Sequence, residues 1–386
     1  MNLQPAHSSF RGAIALTQPS REETIAHRLQ YAYEGNPALR KIVKPEQFAK
    51  ALRELPATLG KHARLSNMMI GLMDKPEGIE MAMMAILLHA KADGITRKHS
   101  SEPALEHSLR VAENSLMISQ GLIEDPLRLA RVAIKAMGHD LIEDFKTVFD
   151  EIKALFGDAI AHSIKTMTTP KTWQLAEEYY TITSDFFSAE EMRDGASVYI
   201  PKMKKNRPVD YLILKSRLKQ RFKCDEAKQF GIDEIIIKGV DNADCFLSYN
   251  ADLAADHMRI YYSTELSQGQ RALNGIFMLP SAKAETNMEA RTIYHERAII
   301  PQLRKIAAAT PDNGIVGGEQ AYQTLENRLN VLYYKQLGDL KTNLSRALQL
   351  YKIRSLSVAM FTSFTGAVRQ YANRKWDELS RTGASL

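Results

Sequence analysis

Two pairs of ionisable residues, His139-Asp140 and Glu143-Asp144, interrupt an apolar, helix-like pattern between Met137 and Ile160. On a helix, residues three and four apart lie on the same side, so these four side chains could converge. Carboxylates held this close repel each other, and burying them without a partner is costly. The pattern therefore favours either a solvated helix end that carries surface acids or a bound divalent metal ion.

A metal ion at this segment would need ligands from elsewhere in the chain. His107 lies upstream in ALEHSLRVAEN, and Asp241 follows an apolar triplet in IIIKGVDNAD, with Asp244 as its rival. Imidazole nitrogen and carboxylate oxygen atoms suit a borderline or hard divalent ion such as Mn, Fe or Zn. Neither of the two cysteines lies in a zinc-binding spacing. The candidate ligands occur in the order His, His-Asp, Asp, and an ion with an open coordination position would activate a water molecule.

This order of residues resembles the HD phosphohydrolase superfamily, and in particular the hydrolase domain of the RelA/SpoT-type alarmone enzymes, which remove the 3′-pyrophosphate of (p)ppGpp. Three segments match in order: HAKADGITRKHSSEPALEHSLRVAEN, HDLIEDFKTVFDEIKALFGDAIAHSIKTMTTPK and IIIKGVDNADCFLSYN. The resemblance covers about residues 81–250. It implies an HD-type helical fold and metal-assisted hydrolysis of a phosphoester, with a guanosine polyphosphate as the substrate.

The resemblance also implies a role for each matching residue. It assigns the metal, Mn²⁺ or another divalent cation, to the ligands His107, His139, Asp140 and Asp241. It assigns the activation of the attacking water to Glu143 and Asp144. It assigns substrate binding to Arg97, Lys98, Lys171 and Ser248. Of these, Arg97 would pack against the guanine and Lys98 would help to hold a phosphate.

Departures from the family pattern leave the substrate open. The family's DRLHN corresponds to DNADC here, so Asn242 stands where the family has an arginine and Cys245 where it has a substrate-binding asparagine. The alternatives are an HD phosphohydrolase of another nucleotide and a non-catalytic protein that senses a nucleotide. No stretch matches the motifs of the alarmone synthetases, which indicates a hydrolase-only chain.

Helical signals dominate the elements that must position these residues. Ser20 and Glu23 form a capping-box pattern, and Asp125-Pro126 begins a helix at whose end His139 lies. We expect an all-α protein that has an HD-domain helical fold with extra N-terminal and C-terminal helices.

The chain divides into three predicted parts. Residues 1–66 form an N-terminal helical segment, and residues 67–310 form the HD hydrolase domain. Within that domain, the helical pattern loosens between 168 and 234, which indicates an insertion. Residues 319–386 show apolar positions at helical spacing on both sides of Gly338 and predict a helical hairpin. Its apolar stripe suits either homo-oligomerisation or docking on the core of the same chain.

The composition limits the classes of partner that we expect. The net charge is +6, and nine Lys or Arg residues lie between Lys202 and Lys223 against the single acid Asp210. This surplus suits an anionic ligand, whereas few aromatic residues interleave with the charges, which disfavours nucleic acid. No apolar run approaches the length of a membrane span, and the N-terminus lacks the layout of a signal peptide. We therefore expect a cytoplasmic protein.

Overall fold

The computed structural model of the protein describes residues 19–72, 74–96, 102–145, 147–247, 291–309 and 315–350. Regular structure in these stretches is helical, and strand pairing is limited there to one isolated bridge between Thr96 and Pro103. The predicted all-α class is therefore confirmed. Among the described helices, none combines the length and the hydropathy that a bilayer-spanning segment requires.

The described chain begins with five helices: α1 (Arg21–Gly35), α2 (Pro37–Ile42), α3 (Pro45–Gly60), α4 (Ala63–Gly71) and α5 (Pro76–Ala92). Ser20 caps α1 as predicted. Its Oγ accepts a hydrogen bond from the Glu23 N–H at 3.2 Å, and the Glu23 carboxylate accepts one from the Ser20 N–H at 2.6 Å. The central helix is α5, which is apolar on nearly every side, and α1, α3 and α4 pack against it.

Three further helices follow: α6 (Ala104–Ser119), α7 (Pro126–Gly138) and α8 (Phe149–Thr166). Gly121 has a positive φ of 72° just after α6, where only glycine turns the chain without strain. Asp125 then caps α7, because its Oδ1 accepts a hydrogen bond from the Leu127 N–H at 3.0 Å. These local signals bring α6 and α7 together as an antiparallel pair that packs along its length.

Helix α7 ends just before the first of the two ionisable pairs. The helix ends at Gly138, and the chain beyond it turns, with the Asp144 N–H donating to the Asp140 carbonyl at 2.9 Å. The prediction that His139 lies at the end of this helix is therefore confirmed, and Glu143 and Asp144 lie in the turn that follows it. Glycine is the poorest helix former after proline, so the chain leaves the helix at Gly138 at little cost.

The stretch predicted as an insertion is helical: α9 (Thr172–Glu178), α10 (Tyr180–Thr183), α11 (Ala196–Asn206) and the longer α12 (Pro208–Glu226), with 3₁₀ turns at Glu191–Asp194 and Ala227–Gln229. Helices α9, α11 and α12 pack against one another. They enclose a hydrophobic cluster of their own, formed by Leu175, Ala176, Phe187, Ala196, Tyr199, Ile200, Met203, Leu214 and Leu218. This small core is separate from the main one, which includes the helices before and after it.

The remaining elements are α13 (Ile232–Asp244), a π-helical turn (His295–Ile299), α14 (Ile300–Ala309) and α15 (Gly318–Leu350). Helix α13 is buried along its whole length and packs against α6, α7 and α15.

The C-terminal part corrects the predicted hairpin. Helix α15 continues through Gly338, so no turn lies there. A single glycine costs about 1 kcal/mol inside a helix, and the neighbouring Leu337 is fully buried, which offsets that cost. The rest of the predicted hairpin, residues 351–386, lies outside the described residues.

Candidate metal centre

Three helices bring four ligand residues together. Helix α6 packs against both α7 and α13, and it carries His107 on the face between them. His139 and Asp140 follow the last residue of α7, and Asp241 lies in the last turn of α13. All four side chains are buried, and both imidazoles are fully so. Residues separated by more than a hundred positions thus meet in one place.

The side-chain atoms of these residues face one another at short range. His107 Nε2 lies 3.6 Å from Asp140 Oδ2 and 3.3 Å from Asp241 Oδ1. His139 Nε2 lies 3.3 Å and 3.5 Å from the same two oxygen atoms. The cluster consists of two imidazole nitrogens and two carboxylate oxygens, a donor set that suits a borderline or hard divalent ion.

The hydrogen bonds on the far side of each ring fix its tautomer. His107 Nδ1 donates to Asp244 Oδ2 at 2.7 Å, and His139 Nδ1 donates to the Ala136 carbonyl at 2.7 Å. A neutral histidine that donates from Nδ1 leaves Nε2 with a lone pair, and this is the usual arrangement of metal-binding histidines. Neither Nε2 has a hydrogen-bond partner among the described residues, although both are buried. These two orphaned atoms fit a metal ion.

Electrostatics in the cluster favour a cation. Burial lowers the pKa of His139, but the attraction of Asp140 and Asp241 outweighs it and raises that pKa to about 10. Burial likewise raises the pKa of Asp140 and of Asp241, but neighbouring cations hold both below the usual range; His139 acts on each, and Lys238 has the largest effect on Asp241. A proton or a metal ion can satisfy the two carboxylates, and the two compete.

Three residues around the cluster hold the ligands in place. Asp244 is fully buried and accepts hydrogen bonds from His107 and from Arg110, whose Nε lies 2.6 Å from it. Lys238 is also buried, and its Nζ lies 2.9 Å from Asp241 Oδ2. Sequence reasoning missed the roles of Arg110 and Lys238. The available signal was their spacing, because each lies three residues, nearly one helical turn, from a ligand.

Gly138, the residue before His139, lies close to side chains of α5 and α8. A Cβ built at Gly138 would lie 2.7 Å from Ile164 Cδ1 and 3.0 Å from Met84 Cε. These distances are shorter than real Cβ contacts, so a larger residue would force the ends of the Ile164 and Met84 side chains to move. Glycine here therefore lets the end of α7, and with it the His-Asp pair, lie deep in the core.

No protein-family model, no curated protein and no solved structure matches this chain. The resemblance to the HD hydrolases thus stays a prediction from the sequence. What the site can do must be inferred from its own geometry and charge.

The two acids predicted to activate water lie outside the buried donor group. Glu143 is partly exposed, and its carboxylate accepts a hydrogen bond from the Thr169 N–H at 3.1 Å. Its other oxygen lies 3.4 Å from the Nζ of Lys219, on helix α12 of the insertion. Asp144 is exposed. Glu143 therefore connects the segment after His139 to the insertion.

The structure describes only one of the four predicted substrate-binding residues. Arg97, Lys98 and Ser248 lie outside the described residues. Lys171 is exposed at the start of α9, two residues after Thr169, which binds Glu143.

His89 and Asn242, two other residues considered in the sequence analysis, have partners outside the ligand set. His89, which sequence reasoning leaves off the ligand set, is buried elsewhere, with its Nε2 3.0 Å from Glu54. Asn242, which stands where the resembled family has an arginine, holds Arg291 instead. The Arg291 guanidinium donates to Asn242 Oδ1 at 3.2 Å, and Asn242 Nδ2 donates to the Arg291 carbonyl at 3.0 Å. An arginine thus contacts the residue at position 242 despite the substitution.

Proposed function

We propose that this protein is a metal-dependent phosphohydrolase of the HD type, which removes the 3′-pyrophosphate of (p)ppGpp or of a close guanosine relative. The observation that supports it best is that the Nε2 atoms of His107 and His139 meet two carboxylates at one buried point. The guanosine substrate rests on the sequence resemblance alone. The metal-dependent chemistry has independent support from the donor set.

His107, His139, Asp140 and Asp241 are the residues that would hold the ion. A bound divalent ion lowers the pKa of a water molecule and stabilises negative charge on a phosphate. Asp244 keeps His107 in the tautomer that binds metal, and the Ala136 carbonyl does the same for His139. Lys238 balances part of the charge of Asp241. These contacts fix the ligands before any ion arrives.

Glu143 is the residue we assign to proton transfer. Its carboxylate follows the ligand pair by only three residues and already accepts a hydrogen bond. In the proposed reaction, the oxygen of water bonds to phosphorus, its proton passes to Glu143, and the bond between phosphorus and the 3′ oxygen breaks. The released 3′ oxygen then takes up a proton.

The test is a panel of nucleotides incubated with the purified protein and Mn²⁺. We expect pyrophosphate release from ppGpp by the wild type and none by Asp140→Asn, which loses a ligand. Asp225→Asn is the matched control, because Asp225 forms exposed ion pairs with Arg221 and Lys228 on the insertion and is not a predicted ligand. Pyrophosphate release from another nucleotide, and not from ppGpp, would identify that nucleotide as the substrate. Equal activity in Asp140→Asn would contradict the metal mechanism.

One observation favours a second candidate, a protein that binds a nucleotide without turning it over. The Glu143 carboxylate is occupied by Lys219 and by the Thr169 N–H, both on the insertion side. If these contacts persist when substrate binds, the base is not free to accept a proton. Tight ppGpp binding without turnover in any divalent metal would favour this candidate over hydrolysis.

A further inference from the structure

Helix α12 of the insertion presents a charged face to the metal centre. Lys219, Lys223 and Glu226 follow one another at spacings of four and three, so they lie on one side of the helix. Lys219 reaches Glu143, and the Nζ of Lys223 lies 5.2 Å from the ring centre of Tyr294. This face therefore lies between the segment after His139 and the chain that leads into the π-helical turn.

Lys223 has no carboxylate within ion-pair distance among the described residues, although it is half-buried. Burial lowers its pKa to about 8, and the cations Arg291, Lys238 and Lys219 act in the same direction, with only Asp241 opposing them. Lys238 and Lys219 each have a carboxylate partner, Asp241 and Glu143 respectively. An ammonium group that is half-buried among other cations loses part of its hydration, and an anion bound beside it would offset that loss.

Two buried polar side chains beside Lys223 also lack partners. Tyr294 is 2% exposed and Glu226 is 6% exposed. Neither the tyrosine hydroxyl nor either oxygen of Glu226 makes a hydrogen bond among the described residues. Burial raises the pKa of Glu226 to about 7, with Lys238 and Lys223 partly opposing that shift. Buried polar groups in native proteins nearly always have a partner, so these atoms point to a bound ligand or to ordered water.

The position of these groups ties them to the metal centre. Arg291 is held against Asn242, the residue after the ligand Asp241. Tyr294 is three residues further along and directly precedes the π-helical turn, a feature that is frequent at functional sites. The charges of Asp241 and Lys238 both act on the Tyr294 hydroxyl. Groups from α12 and from the chain around 291–294 thus converge on the same side of the cluster.

We propose that helix α12 of the insertion completes the substrate site, and that Lys223, with Arg291 and the Tyr294 hydroxyl, binds a phosphate group beside the metal cluster. The inference rests on the proposed phosphohydrolase function for the nature of the anion. It gives the insertion a role in binding the substrate. It also places a cation beside the pyrophosphate group that the water attacks, where the negative charge of that group needs a partner.

The test is calorimetric titration of inorganic pyrophosphate into the metal-free full-length protein in EDTA. We expect Lys223→Met to weaken binding about tenfold or more, because a charge-assisted contact is lost. Lys228→Met is the matched control: it removes the same charge two residues after α12, where the lysine is exposed and pairs with Asp225. That control should bind within about twofold of the wild type, as expected for an exposed ion pair.

A second variant distinguishes the loss of an anion contact from misfolding. Tyr294→Phe removes only the hydroxyl and keeps the ring, so it should also weaken pyrophosphate binding while its circular-dichroism melting curve stays that of the wild type. Unchanged binding in both Lys223→Met and Tyr294→Phe would overturn the proposal, as would the absence of pyrophosphate binding to the wild type.

These outcomes are independent of the hydrolase proposal. If pyrophosphate binds through Lys223 but no nucleotide releases it with Mn²⁺, the phosphohydrolase function fails and the anion site stands. If nucleotide hydrolysis depends on Asp140 while Lys223→Met keeps both wild-type binding and wild-type KM, the anion site fails and the metal centre stands.

Discussion

At the scale of single residues, the groups behind the two histidines decide what the cluster can bind. Asp244 and the Ala136 carbonyl each accept a hydrogen bond from Nδ1 of one ring, so that its Nε2 faces the two carboxylates of the cluster. Burial alone would raise the pKa of Asp244, but the hydrogen bonds from His107 and Arg110 outweigh it and lower that pKa. Asp244 therefore stays charged and makes His107 a stronger donor to a metal.

This arrangement predicts that Asp244→Asn weakens Mn²⁺ binding. An amide keeps the shape of the side chain but loses the charge, and loss of such an outer partner typically costs about ten- to a hundredfold in metal affinity. Competition with a fluorescent chelator would measure the change. Asp225→Asn removes an acid that pairs with Arg221 and Lys228, and should leave the affinity within about twofold. Equal affinities for the two variants would refute a positioning role for Asp244.

The pKa of His139 predicts a pH dependence of metal binding. Because that pKa is raised to about 10, the metal-free side chain is protonated between pH 6 and pH 8. Mn²⁺ must then displace one proton, so its apparent affinity should rise about tenfold per pH unit across this range. Calorimetry in two buffers of different ionisation enthalpy would count the protons released. Binding that releases no proton would show that His139 is neutral before the metal arrives.

At the scale of elements, ion pairs hold α7 against the start of α13. Lys135 of α7 lies 2.9 Å from Asp233 and 3.4 Å from Glu234 of α13. Burial lowers the pKa of Lys135, but these two carboxylates outweigh it and raise that pKa. Because α7 carries His139 and Asp140 at its end and α13 carries Asp241, this contact helps to keep the ligands in register.

Removing this contact should destabilise the protein. We expect Lys135→Met to lower the free energy of unfolding by about 1–3 kcal/mol, since it leaves two largely buried carboxylates with fewer partners. Lys153→Met breaks an exposed pair with Asp158 and should cost less than about 1 kcal/mol. Urea denaturation of both variants would compare them. Similar losses in the free energy of unfolding would show that the α7–α13 contact stabilises the protein no more than an exposed ion pair does.

At the scale of the whole molecule, one ion would connect parts of the chain that lie far apart. The ligands come from positions 107, 139, 140 and 241: two lie on helices α6 and α13, and two directly follow helix α7. An unfolded chain does not hold these side chains together, so metal binding stabilises only the folded state.

Mn²⁺ should therefore raise the melting temperature. At a concentration about 100 times its dissociation constant, a ligand specific for the folded state adds about 2.7 kcal/mol, which corresponds to a rise of a few degrees. Differential scanning calorimetry with Mn²⁺ and with EDTA would measure it. Asp140→Asn should lose most of the rise. The same rise in melting temperature in this variant would show that the ion binds at another site.

The sequence by itself determined the local features. Ser20 and Asp125 cap helices where predicted, because a capping side chain acts on backbone groups two or three residues away. The all-α class followed from apolar residues at helical spacing. The residue types of the metal cluster were also readable, because imidazole and carboxylate groups in an apolar surrounding need a cation wherever the chain places them.

Only the tertiary structure decided which of these residues meet. Asp241 and Asp244 are three apart on one helix, so their spacing could not tell which faces the bare Nε2 of His107; the packing of α6 on α13 decides it. Burial of Leu337 carries α15 through Gly338, where the local signal predicted a turn. Lys223 lies beside the cluster for the same physical reason: long-range packing buries large surfaces at once, and its free energy exceeds the preferences of single residues.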